Sequence, residues 1–124
     1  MQLFTTDKMP KPAGHYSQCV EHNGVLYISG QLPKDPVTKV IPVGIAEQTQ
    51  QVLKNIELIL TEVGSNKNCI LQMRIYIPDI EHWDVVNKVY SEFFGDHKPA
   101  RCVVPSRDLH YGSLIEVEAT AYLP

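Results

Sequence analysis

Hydrophobic positions follow two rhythms along this chain, and the points where one gives way to the other mark its elements. Ile45, Thr49, Val52, Leu53, Ile56, Leu60 and Val63 recur at intervals of three and four, which lines them along one side of a helix. Gly64 follows, where a left-handed residue commonly ends such a helix. The interval then drops to two. Leu71, Met73, Ile75 and Ile77 alternate with Gln72, Arg74 and Tyr76, the pattern of a half-buried strand. A second helix is expected after Pro78-Asp79, with Trp83, Val86, Val89, Tyr90 and Phe93 as its stripe and Gly95 near its end.

Earlier in the chain, GVLYISG (24–30) is rich in strand formers and bounded by glycines. HYSQCV (15–20) is its expected hairpin partner across His22-Asn23-Gly24, because Asn-Gly suits the tight turn of a hairpin. QLPKDPVTKVIPVG carries three prolines and reads as loop. Two strands end the chain, Ala100 to Val104 and Leu114 to Tyr122. In the last, Ile115, Val117, Ala119 and Ala121 form an apolar face, and Leu114, Glu116, Glu118, Thr120 and Tyr122 form the other.

The order β-β-α-β-α-β-β describes an α+β or α/β sandwich, with one sheet and two helices in a single domain of residues 1–124. Two helices cover only one side of such a sheet. The other side, which also carries Val25 and Tyr27, would stay open as a mixed apolar and charged surface. Such a surface points to a homo-oligomer with sheet packed on sheet.

Composition narrows the function. A net charge of -3 gives no basic footprint for phosphate, so no nucleic-acid partner is expected. No run of about 18 apolar residues exists to span a membrane. MQLFTTDKMPKP lacks the marks of a secretory or transit segment. Three scattered cysteines, Cys19, Cys69 and Cys102, suit reduced thiols in the cytoplasm better than a disulfide frame.

Candidate chemistry is sparse. The five histidines show no metal-ligand spacing, and there is no phosphate loop or nucleophile elbow, so no metal or cofactor is expected. Ser29 reads as a strand-end serine satisfying backbone groups. Cys102 lies among valines and reads as a buried, inert thiol. Arg101 stands out, because a guanidinium opening a short apolar strand needs an anionic partner. That partner is either Glu116 or Glu118 in a structural ion pair, or a ligand carboxylate gripped through two parallel hydrogen bonds. Alternation puts Val103 on the face of Arg101 and turns Cys102 away.

GHYSQ (14–18), YISGQLP (27–33), EQTQQVLKNI (47–56), VNKVYSEFFGDHKPAR (86–101) and IEVEATA (115–121) resemble, in order, the Rid family of reactive intermediate deaminases, also called YjgF-like. The resemblance implies a chorismate-mutase-like α+β fold: one mixed sheet, two helices on one face, and a homotrimer with three clefts between subunits. Members with the arginine hydrolyse enamine and imine acids such as 2-aminoacrylate to 2-keto acids and ammonia. By that resemblance Arg101 grips the substrate carboxylate and Glu116 positions and activates water. Tyr16, Ser29 and Gly30 line the cleft with Asn87 nearby, and the backbone at Val103 holds the imine nitrogen. The chain departs from the family where Gly14-His15-Tyr16 replaces Gly-Pro-Tyr and Arg101-Cys102-Val103 replaces Arg-Ser-Cys. Other readings of the same site are a non-catalytic module binding small carboxylates, an endoribonuclease or translation inhibitor, and a deaminase of aminomuconate-type acids.

Overall fold

Asn23 and Gly24, at φ of 52° and 80°, form the left-handed two-residue turn that the Asn-Gly pair signals. They join β2 (Cys19–His22) to β3 (Val25–Gln31), paired antiparallel from His22–Val25 to Cys19–Ile28. The computed structural model describes residues 1–124. Its remaining elements are β1 (Gln2–Phe4), α1 (Ile45–Glu62), β4 (Ile70–Ile77), α2 (Trp83–Phe94), β5 (Ala100–Pro105) and β6 (Glu116–Tyr122). One six-stranded sheet runs β1-β2-β3-β6-β4-β5. Only β4 and β5 pair in parallel, so the sheet is mixed and β5 is an edge.

The helices pack on one face. There Leu26, Ile28, Met73, Ile75, Val117, Ala119 and Ala121 meet Val52, Leu53, Ile56, Leu60 and Val86, all at most 2% exposed. Gly64, at φ 88°, follows α1 as the pattern implied. The opposite face is open, with Leu3, Tyr27 and Tyr122 among its exposed apolar residues. No helix is long and apolar enough to cross a membrane.

Several sequence expectations need correction. The strand before the turn begins at Cys19, so residues 15–18 lie outside it, and β1 was not foreseen. Leu71 is exposed and Ile70 buried, because the β4–β6 ladder shifts between Ile70 and Gln72 and reverses the alternation there. In α2, Phe94 joins Val86 and Tyr90 in the core at intervals of four, while Trp83 is exposed and Phe93 only half-buried. Cys102 is exposed, unlike Cys19 and Cys69. It shares the open face with Arg74, its partner in register, and β5 has no further strand beyond it.

Candidate active site

Arg101 lies on edge strand β5 in register with Met73, which is buried beneath the helices. Its side chain therefore turns toward α2, where Trp83, Asn87 and Tyr90 share one side at helical spacing. Nη1 of Arg101 donates to Oδ1 of Asn87 at 2.9 Å. The guanidinium carbon lies 4.8 Å from the Tyr90 ring centroid and 5.6 Å from that of Trp83. No carboxylate pairs with it. Glu118, one candidate, is held by Arg74 Nε at 3.1 Å and accepts from the Tyr76 hydroxyl at 2.6 Å. The structural ion pair is thus excluded within the protomer, and a cavity of about 410 Å³ lined by Asn87, Tyr90, Lys98 and Arg101 opens beside the guanidinium.

Glu116 is in register with Tyr76 on β4, three residues beyond Met73, and so on the other face of the sheet. A bulge in β3 places Ser29 and Gly30 together opposite a single residue of β6. Gly30, lacking a Cβ, leaves room for the Glu116 carboxylate. The Ser29 hydroxyl donates to the Ser17 carbonyl at 2.6 Å, the backbone role expected of it. Tyr16, Ser29, Gly30, His110, Tyr111 and Glu116 line a second cavity, of about 440 Å³. Burial pushes the Glu116 carboxyl above the usual carboxylate range; nearby His110 opposes this and Glu118 adds to it. Glu116 forms no salt bridge of its own.

The seven candidate residues therefore fall into two groups. Arg101, Asn87 and Val103 belong to the helix-covered face at the β5 edge, since Val103 pairs with buried Ile75. Tyr16, Ser29, Gly30 and Glu116 surround the cavity of the other group. One group centres on a guanidinium without an anionic partner, the other on a carboxyl whose proton affinity is raised.

Residues 6–123 match the family model described as Endoribonuclease L-PSP. The chain belongs to this family, that of the Rid and YjgF/RutC proteins. A RutC family protein of Pyrococcus abyssi is 42% identical over 122 residues, spanning 98% of this chain and 96% of its own length. Among solved structures, RidA of the Antarctic bacterium Psychrobacter sp. PAMC 21119 superposes with a TM-score of 0.94 at 33% identity, covering 99% of this chain and 100% of that one. E. coli TdcF, solved with bound serine, gives a TM-score of 0.94 at 29% identity over 100% of both chains. Whole-chain superposition bears out the single-chain α+β fold that the Rid motifs implied, one mixed sheet with two helices on one face.

Four site residues escaped the sequence reading. Trp83 and Tyr90 were assigned to the α2 core stripe, yet they form the aromatic support of Arg101; Asn87 set between them at helical spacing was the available signal. His110 and Tyr111 reach the Glu116 cavity from an irregular turn, which carries no periodicity to reveal them. The Tyr90 hydroxyl is buried without a hydrogen-bond partner, and burial pushes its pKa up to about 12, so it stays protonated beside the arginine.

Proposed function

We propose that this Rid protein hydrolyses reactive 2-enamine and 2-imine acids, of the 2-aminoacrylate and 2-iminopropionate type, to 2-keto acids and ammonia without a cofactor. One observation carries the reading: Arg101 is aligned by Asn87 and two aromatic faces but has no anionic partner in its own protomer. A substrate carboxylate supplies that partner through two parallel charge-assisted hydrogen bonds.

An enamine substrate first takes a proton from solvent at C3 to become the iminium. With the carboxylate fixed, water adds to the iminium carbon and its proton passes to Glu116, whose raised proton affinity makes it a stronger base than an exposed carboxylate. Glu116 returns the proton to nitrogen. The C–N bond then breaks with its electron pair leaving on ammonia, and the hydroxyl proton passes to the Glu116 carboxylate, which releases it to solvent as the ketone forms. Tyr16, Ser29 and Gly30 wall the reacting centre, and the backbone of Val103 holds the imine nitrogen. Because β5 is an edge strand, half of its backbone groups are free of the sheet.

Arg101 and Glu116 leave opposite faces of one sheet, so the reading requires the fork of one protomer to meet the carboxyl of another. A homotrimer with three clefts, its open faces turned inward, supplies that arrangement. Bound serine in TdcF supports small-carboxylate recognition in the family. Free thiols at all three cysteines suit a reducing, cytoplasmic setting. Ribonuclease action, the activity in the family model's description, is opposed by a net charge of -3 per chain.

The test couples an amino acid oxidase, which generates imino acid in place, to detection of the 2-keto acid. Wild-type protein should accelerate release, and Arg101→Ala and Glu116→Gln should each abolish the effect. Co-refolding the two variants should restore part of the activity, since some clefts then receive both intact groups. No acceleration by wild-type protein would end the deaminase reading, and tight keto-acid binding without turnover would favour a sensing module.

A further inference from the structure

Between β5 and β6 the chain makes a strained turn that the hydrolytic steps do not use. Tyr111 has φ 60° and ψ 26°, a left-handed conformation unfavourable for a bulky side chain, and Gly112 follows at φ 65°. The turn is well tied. The Ser113 hydroxyl donates to the His110 carbonyl at 2.7 Å, and the Leu114 N–H donates to Oε1 of buried Gln48 at 2.8 Å. Strain held this firmly places an aromatic ring in the lining of the Glu116 cavity, 65% exposed and 5.9 Å from the His110 ring. Lys34, from the proline-rich loop, lies 4.3 Å from the centre of that ring and braces it. Tyr16, 51% exposed, lines the same cavity.

In the single protomer this cavity spans about 440 Å³, within the range of ligand sites and roomier than a three-carbon acid needs even once the partner fork required by the deaminase reading has entered it. Two exposed tyrosines offer stacked or edge-on contacts that favour a planar ring beyond the area it buries. We propose that Tyr111, together with Tyr16, forms a side-chain subsite that makes this protein prefer 2-imino acids bearing planar aromatic side chains over the three-carbon substrate. The inference rests on the deaminase reading for its chemistry, but its binding preference can be measured apart from turnover.

Calorimetry with three 2-keto acids as product probes tests it: pyruvate, 4-methyl-2-oxopentanoate and phenylpyruvate. Phenylpyruvate should bind wild-type protein about tenfold more tightly than pyruvate, with the branched acid between them. In Tyr111→Ala and Tyr111→Leu the phenylpyruvate-to-pyruvate affinity ratio should fall to about one, whereas Tyr111→Phe should keep it. Equal affinities in wild-type protein, or a ratio that survives loss of the ring, would overturn the subsite alone. Failure of all three acids to bind would overturn subsite and carboxylate clamp together. The expected binding pattern without any imine hydrolysis would support the subsite while removing the deaminase reading.

Discussion

The carboxylate of Glu116 packs against the α-carbon of Gly30 so closely that a Cβ at position 30 would collide with Oε2. Gly30 has no left-handed backbone requirement, so its replacement acts through this contact. Gly30→Ala should therefore displace the Glu116 carboxyl, and with it the proposed base, while leaving the fold intact. The expected loss is about a hundredfold in kcat/KM with an unchanged circular dichroism spectrum. Activity close to wild type would show that the Glu116 position does not matter.

Asn87 touches the guanidinium rather than substituting for its ligand. Asn87→Ala should loosen the fork, raising KM about tenfold with a smaller change in kcat. Asn87→Asp should be worse, because it introduces an internal carboxylate at 2.9 Å geometry that competes with the substrate for Arg101. Steady-state kinetics on the two variants separates positioning from charge, and equal effects would remove the distinction.

Glu116 gives a signed pH dependence. Its carboxyl titrates above the ordinary range because burial disfavours the anion, so the acid limb of kcat/KM should lie above that of an exposed glutamate. His110 opposes the shift, and His110→Gln should move the limb further up. Stability follows the same sign. The folded state bears the cost of the anion at pH values above the raised pKa, and bears none once both states are protonated at low pH. Glu116→Gln should accordingly raise Tm slightly at neutral pH, with the gain fading as pH falls through the raised value toward the unfolded one. A Tm gain that grows toward acid would contradict this assignment.

Much of the fold was legible before the structure. The Asn23-Gly24 turn, the α1 stripe and the buried Ile115-Val117-Ala119-Ala121 face all rest on local chemistry or on a regular period and are present, although β6 starts at Glu116 rather than at Leu114 and Ile115 is buried just before it. Strand β1 was not, because three residues carry no period and are held by pairing Leu3 with Val20. Leu71 was misplaced by a ladder shift that only the neighbouring strand defines. Cys102 was misjudged because apolar neighbours in sequence do not reveal that a strand lies at an edge. Family motifs named Arg101 and Glu116 together, but their separation onto two faces depends on register, which no motif records.

The open sheet face provides a further check on assembly. Tyr27, 51% exposed beside Val20 and Thr120, is central to it. Tyr27→Glu should add a charge in the proposed contact between protomers and yield monomers by light scattering. Those monomers should keep their secondary structure yet lose hydrolysis, although Arg101 and Glu116 are intact. A fully active monomer would refute the shared cleft.

Prolines bracket the strand that carries Arg101: Pro99 precedes it and Pro105 ends it. Neither offers an N–H to a neighbouring strand, so the free border stays short and its ends cannot donate. On the proposed assembly, a newly made or dissociated protomer exposes this border before it meets its companions. The same punctuation that trims β5 to six residues thus discourages runaway strand addition, guarding an unassembled chain against fibre growth along the strand that carries Arg101.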